Sequence, residues 1–217
     1  MKEYLTITLI GLTLFACNMQ TKKENPTQVT LVTNKQTPPS KKDMLFVTGN
    51  FNNDNVTDTV YEWCYSSLTN APIKTFQIGL ATDTTDAALD SVIKQKPFTK
   101  MYSNLNGVDT FMVSEVAQQQ GLYYLINVGD LDGDHVDEIG YIINYADISN
   151  INRFFIVSLK NNKFTPQFNF QINEMINFLP EELIDSTFLV KALPPKSMQY
   201  KFYSDSATVE LGTYTFK

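Results

Sequence analysis

Residues 129–138 of the 217-residue chain have the sequence Gly129-Asp130-Leu131-Asp132-Gly133-Asp134-His135-Val136-Asp137-Glu138. Acidic side chains stand at alternate positions, so a loop that curls on itself brings every second oxygen to the same side. A similar stretch lies 80 residues earlier, and ten positions align without a gap: Gly49-Asn50-Phe51-Asn52-Asn53-Asp54-Asn55-Val56-Thr57-Asp58. We therefore predict an internal duplication built around two loops, with repeats at about residues 43–122 and 123–217.

The oxygen-bearing groups of both loops have the spacing of a calcium ligand set. In the second loop, positions 1, 3, 5 and 9 carry carboxylates and position 7 offers a backbone carbonyl, which gives Asp130, Asp132, Asp134, Val136 and Glu138. In the first loop the same positions give Asn50, Asn52, Asp54, Val56 and Asp58. Calcium affinity rises with the number of charged ligands, so we expect one ion in the second loop and a weaker ion in the first. The alternatives are a first loop held only by Asn hydrogen bonds, or an Asx-rich turn without metal at either place.

The sequence around the loops distinguishes them from helical calcium motifs. An EF-hand has a bidentate Glu at position 12, whereas this chain has Tyr61 and Tyr141 there. Apolar, β-type segments also enter and leave both loops, where an EF-hand or dockerin-type loop continues into a helix. Strand–loop–strand segments of this kind resemble the FG-GAP/VCBS-type repeats of integrin α-chain propellers, and the resemblance implies Ca²⁺ at the ten residues named above. The usual Gly at position 6 is replaced by Asn55 and His135, residue types that accept positive φ more often than most.

Short β-branched and aromatic runs, separated by Asn, Asp, Gly and Pro, dominate the rest of the folded region. We predict a mainly β fold with antiparallel strands in two propeller-blade-like FG-GAP units or, alternatively, in a β-sandwich. Predicted strands are Met44–Thr48, Thr59–Tyr65, Lys74–Leu80, Val108–Val113, Leu122–Val128, Ile139–Tyr145, Arg153–Leu159, Lys163–Phe168, Met198–Tyr203 and Thr208–Phe216. Short helices are predicted at Thr85–Lys94 and at Gln171–Phe178, the latter extended by Pro180–Ile184.

The N-terminus has the composition of an export signal followed by a tether. Residues 1–16 carry Lys2 and an apolar run that is too short to span a bilayer. The run ends at Leu14-Phe15-Ala16-Cys17, which resembles the lipobox of bacterial lipoproteins and implies lipidation of Cys17. An ordinary signal peptide with an unmodified Cys is the alternative. Residues 17–42 are polar and contain proline, so we expect a flexible tether before a single β domain at residues 43–217.

Charge and the scarcity of reactive side chains limit the function classes. The net charge is −6 and no basic patch is present, which argues against a nucleic-acid partner. The only histidine, His135, lies in a predicted metal loop, so we expect no catalytic residues and no enzyme activity. Tripeptides such as Asp90-Ser91-Val92 resemble an O-glycosylation motif of Bacteroidetes envelope proteins. We expect an envelope lipoprotein, at the outer membrane rather than the inner, with a protein or glycan partner. The alternative is a hydrolase or an accessory subunit of envelope glycan or protein processing.

Overall fold

A computed structural model of the protein describes residues 45–73, 90–91, 93–113, 119–145, 149–174 and 189–217. These residues belong to one compact unit, Pro38–Lys217. The strands within the described ranges are β1 (Phe46–Gly49), β2 (Asp58–Ser66), β3 (Pro97–Ser103), β4 (Phe111–Met112), β5 (Gln119–Gly129), β6 (Glu138–Tyr145), β7 (Ile151–Lys160), β8 (Lys163–Asn173), β9 (Val190–Leu193), β10 (Ser197–Tyr203) and β11 (Val209–Thr215). Across these ranges, helical segments are too short or too polar to cross a membrane.

The strands form three antiparallel sheets, so the predicted mainly β, antiparallel fold is confirmed. β1–β4 and β5–β8 are four-stranded meanders, in which each strand pairs with the next along the chain, and β9–β11 form a three-stranded sheet. Each acidic loop connects the first two strands of a meander. Gly49 pairs with Asp58 in the first meander, and Gly129 pairs with Glu138 in the second. The two loops therefore occupy equivalent places in the two meanders.

Two hydrophobic cores place the β5–β8 meander between the other two sheets. One core joins it to β1–β4 and includes Val60, Met101 and Ile139, which are fully buried. The other core joins it to β9–β11 and includes Ile142 and Met198, which are also fully buried. Because side chains alternate between the faces of a strand, β6 contributes Ile139 to one core and Ile142 to the other.

The structure differs from the sequence prediction in several elements. Strands β3 and β9 are absent from the prediction, and the predicted strand Val108–Val113 is reduced to β4. The predicted helix Gln171–Phe178 is wrong at its first three residues, which continue β8 because they pair with β7 and bury Ile172 completely. Within the predicted helix Thr85–Lys94, the described residues 90, 91, 93 and 94 are helical. Predictions that lie outside the described residues are those for the signal peptide and tether at 1–42, for lipidation of Cys17, for the strand Lys74–Leu80 and for the segment Pro180–Ile184.

Candidate metal centre

The two acidic loops have the same backbone conformation at equivalent positions. In the second loop Gly133 and His135 have φ values of 78° and 68°, and in the first loop Asn53 and Asn55 have values of 62° and 60°. Left-handed backbone at two alternate residues turns the chain tightly enough for loop N–H groups to meet the side-chain oxygens. Asn55 and His135, at position 6 of their loops, therefore adopt the positive φ that glycine accepts most readily.

Asp130 is fixed by the loop backbone and lies close to two other acids. Its Oδ1 accepts a hydrogen bond from Gly133 N at 2.7 Å, and its Oδ2 accepts one from His135 N at 3.0 Å. Carboxylate oxygens of Asp130, Asp132 and Glu138 all lie within 4.8 Å of one another. Three of the five predicted ligands of the second loop are thus brought together in a space that one cation can fill.

Glu138 is the most deeply buried acid of this cluster. It is fully buried, and its Oε2 accepts a hydrogen bond from Leu131 N at 2.7 Å. Burial and the charges of Asp132 and Asp134 raise the pKa of Glu138 to about 8. The Leu131 N–H and the nearby Ser158 hydroxyl act in the opposite direction and lower this pKa, but their effect is smaller. Neither Glu138 Oε1 nor Ser158 Oγ has a hydrogen-bond partner of good geometry. A buried carboxylate oxygen without a donor is costly, and a cation is one means of stabilising it.

Lys160, the last residue of β7, is the cationic partner of two predicted ligands. Its Nζ lies 2.7 Å from Asp132 Oδ2 and 2.9 Å from Asp134 Oδ2. The other oxygens of these carboxylates serve the loop, because Asp134 N donates to Asp132 Oδ1 at 3.3 Å and Val136 N donates to Asp134 Oδ1 at 3.0 Å. Partial burial works against the charged forms of these groups. The contact with Lys160 nevertheless lowers the pKa of Asp134. The contacts with Asp132 and Asp134 raise the pKa of Lys160.

Lys160 is absent from the predicted ligand set, although the sequence carries a signal for its position. Ile139 pairs with Val157, and continuing this antiparallel register brings Lys160 level with Val136. The hairpin turn at Asn161-Asn162, where both residues have positive φ, ends β7 directly after Lys160. A lysine at the end of a strand that borders an acidic loop is therefore a candidate for an ion pair with that loop.

The first loop repeats the hydrogen-bond pattern of the second with fewer charges. Phe51 N donates to Asp58 Oδ2 at 3.0 Å, Asp54 N donates to Asn52 Oδ1 at 3.0 Å, and Val56 N donates to Asp54 Oδ1 at 2.7 Å. Burial raises the pKa of Asp58, and the negative charge of Asp54 raises it further. The hydrogen bond from Phe51 N lowers it, but by less. These predicted ligands therefore share one hydrogen-bonded turn.

Asn50, the first predicted ligand of the first loop, is engaged by the second loop. Asn50 N donates to Asp137 Oδ2 at 2.9 Å, Asp137 N donates to Asn50 O at 2.9 Å, and Asn50 Nδ2 donates to His135 O at 3.2 Å. Asn127 Nδ2 also donates to Asp137 Oδ2 at 2.9 Å. A side chain at Gly49 would enter this junction, since an added Cβ would lie 2.8 Å from Asp137 Oδ2. Asp137, which the alternating pattern leaves outside the ligand set, thus joins the two loops.

A cleft of about 420 Å³ opens beside the loops. Its walls come from both loops and from the β7–β8 hairpin, and its lining residues are Asn52, Val136, Leu159, Lys160, Asn161 and Asn162. Lys160 therefore borders this cleft on one side and the carboxylates of the second loop on the other.

Two side chains of types that often act in catalysis, His135 and Cys64, lie in different environments. The His135 side chain is 83% exposed, and its Nδ1 lies 4.0 Å from Asp130 Oδ2. Cys64 is buried, and burial with the nearby charge of Glu62 raises the pKa of its thiol to about 12, so the thiol is protonated at neutral pH. Comparisons with protein-family models, with curated proteins and with solved structures gave no match. The oxygen cluster of the second loop is therefore the feature from which a function can be inferred.

Proposed function

We propose that the protein is a cell-envelope lipoprotein whose non-catalytic β domain is stabilised by calcium and offers a binding or scaffold surface to a protein or glycan. The observation that carries the proposal is the cluster of Asp130, Asp132 and Glu138, with carboxylate oxygens within 4.8 Å of one another. Within it, Glu138 Oε1 is buried and has no hydrogen-bond partner. Carboxylates at this separation repel one another unless a cation or protons neutralise them.

The donor set fits a hard cation. Calcium takes about six to eight oxygen ligands, from carboxylates, carbonyls and water, at roughly 2.3–2.6 Å. The residues that would hold it in the second loop are Asp130, Asp132, Asp134, Val136 through its carbonyl, and Glu138. When bound, calcium supplies positive charge that neutralises these carboxylates and stabilises the connection between β5 and β6. The proposed role is structural.

The first loop is proposed as a weaker calcium site. Its ligands would be Asn50, Asn52, Asp54, Val56 through its carbonyl, and Asp58. Two amides replace two of the carboxylates of the second loop, and calcium affinity falls with ligand charge. The Asn50 backbone is also held by hydrogen bonds with Asp137, and its Nδ2 donates to His135 O, so its side chain has less freedom to adapt to an ion.

Two FG-GAP-like units in an open arrangement are the architecture that we propose. Each meander has four strands, as a propeller blade has, and each carries its acidic loop between the first two strands. Two blades are too few to close a ring, since propellers have about four to eight. A pair of blades packed face to face, or a sandwich of the two sheets, remains the proposal for these two meanders.

The proposed membrane anchor is a lipid on Cys17, followed by a tether that extends to residue 42. The residue order before Cys17 and the polar composition after it support this part of the proposal. Mass spectrometry of the N-terminal peptide from cells tests it. A chain that begins at Cys17 with attached acyl groups is the expected result, and an unmodified Cys17 would contradict the anchor.

Calcium-dependent unfolding tests the proposed metal role. The full chain, purified in detergent, is heated in excess Ca²⁺ and in chelator. At about 100 times Kd, calcium should add about 2.7 kcal/mol to the free energy of unfolding. Asp130→Asn should lose most of this gain, whereas Asp205→Asn, in the exposed turn between β10 and β11, should keep it. An unfolding temperature of the wild-type protein that is the same in both solutions would contradict the proposal.

A further inference from the structure

Lys160 contacts one carboxylate oxygen of each of two predicted calcium ligands, Asp132 and Asp134. The Oδ1 atoms of Asp132 and Asp134 are engaged by N–H groups of the loop. Their Oδ2 atoms are the ones that face a cation, and Lys160 Nζ lies 2.7 Å and 2.9 Å from them. A calcium ion bound at roughly 2.3–2.6 Å from the same oxygens would lie close to the ammonium, and the two positive charges would repel each other, so the two cations compete for these oxygens.

The surroundings of Lys160 allow its side chain to leave this position. Its side chain is 34% exposed, and it lines the cleft of about 420 Å³ beside the loops. A lysine carries its ammonium on a flexible stem of four carbons. The ammonium can therefore move from the carboxylates into the cleft by side-chain rotation, without displacement of β7.

We propose that Lys160 is a tethered cation that competes with calcium for Asp132 and Asp134 and so sets the calcium affinity of the second loop. The inference rests on the proposed calcium site and adds the residue that regulates it. In calcium-free protein the ammonium neutralises part of the carboxylate charge and keeps the loop in its folded conformation. Calcium displaces the ammonium into the cleft. The affinity of the loop is then lower than its four carboxylates alone would give.

Calcium titration of two lysine variants tests this role. Lys160→Met keeps a linear apolar side chain and removes the charge. Lys163→Met is the matched control, since Lys163 lies in the same hairpin, at the start of β8, and is exposed. Isothermal titration of the full chain with CaCl₂ should show about tenfold tighter binding for Lys160→Met and wild-type affinity for Lys163→Met. Two partly exposed ionic contacts of about 0.2–1 kcal/mol each correspond to a change of about two- to thirtyfold.

A second measurement, without calcium, examines the counter-ion role directly. In chelator, Lys160→Met should have a lower unfolding temperature than Lys163→Met, because the carboxylates of Asp132 and Asp134 lose their positive partner. In excess calcium this difference should disappear. If the wild-type protein binds calcium and Lys160→Met binds it no more tightly, the role of Lys160 is overturned and the calcium site itself is not. A wild type and variants that all fail to bind calcium would overturn the proposed calcium site and, with it, this inference.

Discussion

Asp137 gives the sharpest test of how the two loops are joined. Its Oδ2 accepts hydrogen bonds from Asn50 N and Asn127 Nδ2, each at 2.9 Å, and both donors are partly buried. Asp137→Ala removes both bonds and leaves the donors without this acceptor. Hydrogen bonds to a charged group contribute about 1.5–3 kcal/mol each, and partial exposure favours the lower value. We therefore expect Asp137→Ala to lower the free energy of unfolding by about 3 kcal/mol.

Two further variants separate the junction from general effects of substitution. Asp137→Asn keeps a carbonyl oxygen that can accept a hydrogen bond but removes the charge, so about half of the loss is expected because charge-assisted hydrogen bonds are roughly twice as strong as neutral ones. Thr57 is the counterpart of Asp137 in the first loop, and it is exposed. Thr57→Ala should therefore change the free energy of unfolding by less than about 0.5 kcal/mol.

Equilibrium unfolding in urea measures these differences. Trp63 is the only tryptophan of the chain and is buried, so its fluorescence reports on loss of the folded state. All variants are compared in chelator, which keeps metal binding out of the measured free energies. A loss for Asp137→Ala no larger than that for Thr57→Ala would refute the direct junction between the loops.

A buried acid and a glycine next to the loops give the remaining tests. Burial raises the pKa of Glu62 from 4.5 to about 7, although two backbone hydrogen bonds act to lower it. Since the folded protein then binds this proton more tightly than the unfolded chain does, the free energy of unfolding should fall by roughly 3 kcal/mol as pH rises from about 4.5 to about 7. Glu138, whose pKa is also raised, adds its own fall in this pH range. Glu62→Gln should therefore reduce the total fall by roughly 3 kcal/mol in urea unfolding curves recorded across that range, and a profile parallel to wild type would contradict the assignment. Gly133 and Gly107 have similar φ values of 78° and 79°, but an added Cβ meets a backbone atom, Pro195 O at 2.7 Å, only at Gly133. Thermal unfolding should show a loss of about 1 kcal/mol for Gly107→Ala and at least about 2 kcal/mol for Gly133→Ala, and equal losses would count against the contact with Pro195.

The loops and their flanking strands are predictable from the sequence because the signals are local. Alternate oxygen-bearing residues, a glycine before each loop and apolar runs on both sides all lie within about twenty consecutive residues of the loop they define. Gly49 and Gly129 close the first strand of each meander as this pattern requires. The similarity of the two loops is visible for the same reason, since ten neighbouring positions align without a gap.

Strand β3 and the extension of β8 depend on partners that are distant in the sequence. The buried residues of β3 include the polar Thr99 beside Met101, so the sequence lacks the apolar alternation that is typical of a strand. The segment is a strand because it pairs with β2. In β8, Ile172 is buried in the core shared with β9–β11. The local sequence there fits either a helix or a strand, and tertiary packing determines that it forms a strand.

The contacts of Lys160 and Asp137 also depend on distant partners. Lys160 meets Asp132 across 28 residues, and Asp137 meets Asn50 across 87 residues. Charge and spacing within each loop identify oxygen ligands but contain no information about which distant side chain approaches them. For Lys160, the strand register supplies that information only after the pairing of β6 with β7 is known.

Strand β6 places Ile139 in one core and Ile142 in the other, so the second meander contributes to both cores, whereas the described residues of β1–β4 contribute only to the first core. The two meanders are therefore under unequal packing constraint. Substitutions at Ile139 and at Ile142 therefore weaken different cores, whereas substitutions at Val60 and at Met101 weaken the same one. Substitutions should accordingly be tolerated less often in the inner strands of β5–β8 than in β1–β4.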